Sequence, residues 1–123
     1  MIQLERLRIR PDFLAAAKGE KKPMPGLVLQ ARDNTNHNHI RYGLTASKKV
    51  GNAVARNRVR RRLRVAAEQI LPNEGRCGFD YVLIGRQATL ARSFRDLLKD
   101  LETALKRIHD APQGNISSNS DLK

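Results

Sequence analysis

Between Ser47 and Arg64 the chain reads Ser-Lys-Lys-Val-Gly-Asn-Ala-Val-Ala-Arg-Asn-Arg-Val-Arg-Arg-Arg-Leu-Arg, and no Asp or Glu occurs anywhere from Asn34 to Ala67. Lys48, Lys49, Arg56, Arg58, Arg60, Arg61, Arg62 and Arg64 therefore build a positive field that nothing nearby in sequence neutralises. Read at 100° per residue, Ala55, Val59, Leu63, Ala66, Ala67 and Ile70 fall into one apolar stripe through the same segment. A disordered basic tail has no use for such a stripe. The spacing predicts a long amphipathic helix docked on a core, presenting its cations from a fixed surface. Arg60, Arg61 and Arg64 share one flank with Asn57, whereas Arg58 and Arg62 lie on the other.

Gly51-Asn52 supplies the start signal, because Asn is a good N-cap and Gly lets the chain turn into the helix. Lys48 and Lys49 then precede a helix N-terminus, where free amide hydrogens and the positive end of the dipole favour a phosphate. With a formal charge of +12, the natural counter-charge is a dense polyanion such as nucleic acid. A targeting signal or a solvated helix face is the plainer explanation of a short basic run. A DNA-reading helix fits less well, since such helices carry Asn, Gln or Ser for base edges among fewer phosphate contacts.

The segment from Lys48 to Arg64 resembles the signature of the bacterial ribonuclease P protein family, whose hallmark Arg-Asn-Arg triplet is matched by Arg56-Asn57-Arg58. Arg6-Leu7 and Phe13 are similar to the family's N-terminal helix, and Asp80-Tyr-Val-Leu-Ile-Gly-Arg86 to its later strand. The resemblance covers roughly residues 4 to 108. It implies a protein subunit that binds a large catalytic RNA and the 5′ leader of precursor tRNA, promoting endonucleolytic removal of the leader. It also implies chemistry at Mg²⁺ ions held by the RNA, with none bound strongly by the protein alone, and no protein partner. The RNA-binding set carried over is Lys48, Lys49, Asn52, Arg56, Asn57, Arg58, Arg60, Arg61, Arg62 and Arg64. The resemblance puts Phe13 and Arg86 in a leader cleft, though the helical spacing of Phe13 with Ala16 and Ala17 equally suits a plain core residue, while Ala17 and Gln30 fall where the family commonly has aromatic residues. The non-catalytic alternative, an RNA-binding or ribosome-assembly protein, is what composition alone favours.

A length of 123 residues suits one domain, and 40% apolar residues suffice for a modest core without Trp. No apolar run approaches the length of a membrane span and no signal-peptide layout is present, so the cytoplasm is the default expectation. Cys77 is the only cysteine, which excludes an internal disulfide and a cysteine-rich zinc site. His37-Asn-His39 sits in a polar stretch with only Asp33 near as a carboxylate, an incomplete ligand set, and reads as an ordinary exposed loop. Paired catalytic carboxylates, a Ser/His/Asp pattern and a Gly-rich phosphate loop are all missing, so no catalytic residue is assigned.

Along the chain, a short helix is expected from about Pro11 to Lys18-Gly19, followed by a Pro-containing link. Strands are expected at Gly26–Ala31 and Ile40–Ala46, pairing as a hairpin across the polar stretch between them. Leu71-Pro72-Asn73 breaks the basic helix, and Tyr81–Ile84 reads as a central strand. Ser93 opens a final amphipathic helix carrying Phe94, Leu97, Leu98, Leu101, Leu105 and Ile108. The order helix, strand, strand, long basic helix, strand, helix makes a single-domain α+β sandwich over residues 1–108, with 109–123 a disordered tail. The resemblance implies a left-handed crossover through the basic helix, against the usual rule.

Overall fold

The computed structural model describes residues 4–34 and 37–110. Its elements are β1 (Leu4–Arg6), α1 (Arg10–Ala17), β2 (Glu20–Pro23), β3 (Leu27–Asp33), β4 (Ile40–Thr45), a 3₁₀ turn (Lys48–Val50), α2 (Ala53–Glu74), β5 (Phe79–Gly85), α3 (Ala88–Ala91) and α4 (Phe94–Asp110). The strands form one mixed sheet in the order β1-β4-β5-β3-β2. The apolar run of β5 takes the middle place, parallel to β4 and antiparallel to β3. A strand buried on both faces needs no polar alternation, which is why its sequence reads as continuous.

The expected hairpin between β3 and β4 does not form. β5 lies between them, pairing Leu29 with Leu83 on one side and Leu44 with Leu83 on the other. Two strands were also not anticipated. β1 adds to β4 in parallel through Leu4 and Ile40, and Glu20-Lys-Lys-Pro23 adds to β3 as an edge. Neither has the alternation that betrays a strand, and Pro23 is tolerated only because β2 is an edge.

One face of the sheet carries the main core. Leu27, Leu29, Ala31, Ile40, Tyr42, Tyr81 and Leu83 meet Val59, Leu63, Ala66, Ala67 and Leu71 of α2 and Leu97, Leu101, Ala104 and Leu105 of α4. Burial of this stripe drives α2 onto the sheet. Gly85 allows close approach there, since a Cβ at that position would lie 2.3 Å from Val59 Cγ1. The helix also passes through Pro72 and ends at Glu74, beyond the expected break. Ile70 and Leu71 are buried just ahead of the proline, and the Gly75 amide donates to the Leu71 carbonyl at 2.8 Å. Packing thus offsets the hydrogen bond that proline cannot donate.

The far side of α4 is tied down by Asp100, which accepts from the Gly26 amide at 2.9 Å and from Arg92 Nε and Nη2 at 3.0 and 2.9 Å. Ser93 Oγ accepts from the Asp96 amide, so the expected cap is present. α4 includes His109 and Asp110. Residues 111–123, the rest of the expected tail, lie outside the described residues.

His109 closes the core at this end. The Arg76 amide donates to the Tyr81 hydroxyl at 2.9 Å, and that hydroxyl lies 2.6 Å from His109 Nε2. Burial, then the Arg76 charge, holds His109 below the ordinary histidine range, while burial pushes the Tyr81 phenol up. The neutral imidazole accepts from Tyr81. A group whose folded pKa is depressed binds its proton more readily when unfolded, so its contribution is present above about pH 6.5 and is lost as pH falls. Melting temperature should decline between about pH 6.5 and pH 5 more steeply in the parent than in His109→Gln. Superimposable pH profiles of the two proteins would remove His109 from this account.

Candidate nucleic-acid interface

The N-terminal end of α2 is built by side-chain caps. Ser47 Oγ accepts from the Lys49 amide at 3.3 Å, Gly51 turns the chain at φ 145°, and Asn52 Oδ1 accepts from the Ala55 amide at 2.9 Å. Lys48 and Lys49 are exposed beside this terminus, as the spacing requires. Asn52 belongs to the cap, so its oxygen is committed to the backbone and only its amide NH₂ faces outward chemistry.

Among the described residues, no arginine from Arg56 to Arg64 has a carboxylate partner; the ion pairs of Arg41 and Arg92 lie elsewhere. The two flanks expected from the helical period differ in use. On the first, Arg60 Nη1 donates to Asn57 Oδ1 at 3.2 Å, and Asn57, Arg60, Arg61 and Arg64 line a crevice of about 330 Å³ with Leu44 and Arg6. Arg6 was not among the residues singled out by sequence. It arrives on β1, its guanidinium carbon 5.3 Å from the centre of the Tyr42 ring. Tyr42 in turn donates to Glu68 at 3.2 Å, and burial, then Glu68, raises its phenol.

On the second flank Arg58 is exposed, but Arg62 is not a free cation. Its guanidinium donates to the Arg92 carbonyl and sits 5.9 Å from the Phe94 ring centre, fastening α2 to the turn ahead of α4. Arg62 therefore leaves the set of cations open to a polyanion. Arg56, one turn ahead of Arg60, is half-buried.

The crevice opens into a trough on the other face of the sheet. Arg10, Phe13, Leu44, Thr45, Ala46, Ser47, Arg60 and Ile84 line about 420 Å³ of it, sharing Leu44 and Arg60 with the crevice. Phe13 is half-buried, belonging both to a small second core with Leu7, Ala16, Val82 and Ile84 and to the trough wall. The ring lies against Gly43, where a Cβ would fall 2.4 Å from Phe13 Cε1. Gln30 pairs with Val82 and so shares this face, whereas Ala17 is exposed at the end of α1. Arg86 lines a neighbouring cavity of about 520 Å³ with Ser47, Lys49, Val50, Gly85 and Gln87. One of its nitrogens donates to the Met24 carbonyl at 2.8 Å, so it is half a tether and half a cation facing that cavity.

The His37–His39 stretch is not the ordinary exposed loop expected. His37, only 10% exposed at its side chain, places Nε2 2.8 Å from Oδ1 of fully buried Asp80. The His39 amide donates to His37 Nδ1 at 3.1 Å, so Nε2 carries the proton given to Asp80. His39 Nε2 lies 3.6 Å from Glu5. The carboxylate partners come from β5 and β1, distant in sequence. Among the described residues no group of three or more His, Cys, Asp or Glu side chains could hold a metal ion, and no helix is long and apolar enough to cross a membrane.

Comparison with known proteins places this geometry. The chain matches the family model described as Ribonuclease P over residues 1–109. It is 53% identical over 106 residues to the ribonuclease P protein component of Ruegeria pomeroyi, covering 84% of this chain and 85% of that one. To the protein component of Paramagnetospirillum magneticum it is 50% identical over 111 residues, covering 86% and 84%. Among solved structures it resembles the RNase P protein from Thermotoga maritima with a TM-score of 0.69 at 32% identity, covering 85% of this chain and 97% of that one. The match takes in the basic helix and runs through the strands and helices around it: the chain belongs to the ribonuclease P protein family.

Proposed function

We propose that the chain uses the crevice and trough as one RNA surface, with the catalytic RNA on the cations of α2 and the 5′ leader of precursor tRNA along the trough. The chain is the protein component of a ribonucleoprotein endoribonuclease that acts in tRNA 5′ maturation. The observation that carries the proposed division is continuity: Arg60 and Leu44 line both cavities, so a strand leaving one enters the other. Lys48, Lys49, Arg56, Asn57, Arg58, Arg60, Arg61 and Arg64 supply contacts to the RNA backbone. Arginine suits this work, because its planar fork binds phosphate through two parallel bonds and stacks on bases.

The RNA is the natural holder of Mg²⁺, which when bound activates water and stabilises the leaving oxygen. The protein lowers repulsion between two polyanions and adds grip on the leader. We place the assembly in the cytoplasm. With Ala17 and Gln30 in place of aromatic platforms, Phe13 is the main stacking surface in the trough.

Leader length is the test. Stacking on an aromatic ring is worth about 1–3 kcal/mol per base, so Phe13→Ala should weaken the reconstituted holoenzyme's affinity for long-leader precursor by that amount and leave short-leader binding unchanged. Gly43→Ala should act in the same direction, because the new methyl displaces the Phe13 ring from its seat. Its backbone is not in the left-handed region, and besides the Phe13 ring the nearest atom to the new methyl is the Leu7 Cβ, at 3.3 Å. Phe13 is half-buried, so folding stability should fall by less than the roughly 3–5 kcal/mol of a fully buried Phe. Equal affinity for long and short leaders in well-folded variants would remove the leader from the trough.

A further inference from the structure

α1 cannot hold itself in place. It has eight residues, its N-cap is Ile9 without a side-chain cap, and isolated helices of that length do not persist in water. Its apolar seat is small, only Leu7, Ala16 and Val82 being buried there, while Ile9 and Leu14 are 57% and 51% exposed. The C-terminal end is fixed by close approach, since Gly19 passes so near β3 that a Cβ would fall 2.1 Å from the Ala31 carbonyl oxygen. Ahead of the helix the Leu7 amide donates to the Tyr42 carbonyl at 2.8 Å, and within its first turn Asp12 lies 3.0 Å from Arg41 Nη2.

Arg41 is itself anchored. It stands on β4 opposite Asp80 of β5, with Nε 2.9 Å from Asp80 Oδ1 and Nη2 3.4 Å from Oδ2. Asp80 is fully buried and also holds His37 and the Asn34 side-chain amide, the latter at 3.0 Å. A buried carboxylate with these partners is a fixed point of the sheet. Arg41 transmits that fixed point to the residue next to Phe13.

We infer that Arg41 is a positioning residue: clamped to Asp80 below and to Asp12 above, it sets the seat of α1 on the sheet and thereby holds the Phe13 ring over Gly43 in the trough. The inference rests on the leader reading only in its last step; the clamp on α1 is measured independently. Asp12→Asn removes the charge at nearly constant size and touches neither the trough lining nor the basic helix.

Hydrogen exchange of the full chain and leader-length dependence of the reconstituted holoenzyme test it together. In Asp12→Asn the amides of residues 10–17 should exchange about tenfold faster while those of β3 and β5 are unchanged, the pattern of local opening. Asp12→Glu should restore most of the protection. Long-leader preference should fall in Asp12→Asn as it does in Phe13→Ala, with no further fall in the double variant, as for two changes acting through one interaction. Unchanged exchange across α1 overturns the clamp. Faster exchange with leader preference intact, when Phe13→Ala abolishes that preference, overturns the positioning of Phe13. If Phe13→Ala itself leaves leader preference intact, the leader reading fails, and the clamp is judged by exchange alone.

Discussion

Replacing Arg60, Arg61 and Arg64 together by Gln is expected to flatten the dependence of log affinity on log salt for the catalytic RNA by roughly two to three units, at about 0.7–0.9 unit for each phosphate no longer neutralised. The reason is geometric. The three guanidinium groups line one crevice with Asn57, none has a carboxylate partner among the described residues, and each can therefore replace condensed counterions on an RNA backbone. Between 50 and 200 mM salt the parent should weaken roughly 20- to 40-fold more than the triple variant. Arg62→Gln provides the internal control. That side chain is spent on the Arg92 carbonyl and Phe94, so its removal should lower the melting temperature and leave the salt slope where it was. A triple variant with the parental slope, or an Arg62→Gln slope shifted by a full unit, would mean that the wrong flank of α2 had been given to the RNA.

Asp80→Ala should be the most destabilising single change on the trough side of the sheet. Asp80 has no exposed surface and receives His37, Arg41 and Asn34. Removing it leaves a guanidinium and an imidazole N–H partly buried without their acceptor, and breaking a buried pair from one side costs about 3–5 kcal/mol. Arg41 keeps Asp12 and some solvent, which places the expectation near the lower figure. For a domain of this size about 3 kcal/mol corresponds to a melting temperature lower by more than about 10 °C. Asp12→Asn, at the half-exposed outer end of the same chain of charges, should cost far less. A Tm for Asp80→Ala within a few degrees of the parent would show that the His37 and Arg41 interactions add little to the fold.

The sequence was informative where periodicity and burial coincide. In α2 and α4 each apolar side chain recurs on one face because the core is on one side, so the helices and their buried residues could be read directly. The central place of β5 followed from a strand with no polar face. The partners of strands were less visible. Alternation in Ile40–Thr45 shows that a strand exists and which residues point inward, but nothing local says that β5 rather than β3 lies beside it. Glu20-Lys-Lys-Pro23 has no alternation because an edge strand over solvent needs none.

The same division holds for the interface. Arg60, Arg61 and Arg64 are neighbours at helical spacing, so their convergence with Asn57 was legible. Arg6 reaches them from a strand whose only signal is its pairing with β4, and Arg62 reads as an outward cation because its acceptor, the Arg92 carbonyl, is a backbone atom 30 residues away. His37 and His39 looked unpartnered for the same reason, since Asp80 is 43 residues from His37. Arg86 in turn proved to be shared between a cavity and the Met24 carbonyl.

The most direct measurement is reconstitution. The purified chain, mixed with a bacterial ribonuclease P RNA at Mg²⁺ too low for that RNA to act alone, should restore removal of the 5′ leader from precursor tRNA, while the chain by itself cleaves nothing. Tight binding to the RNA without any restored cleavage would contradict the account and leave a non-catalytic RNA-binding protein in its place.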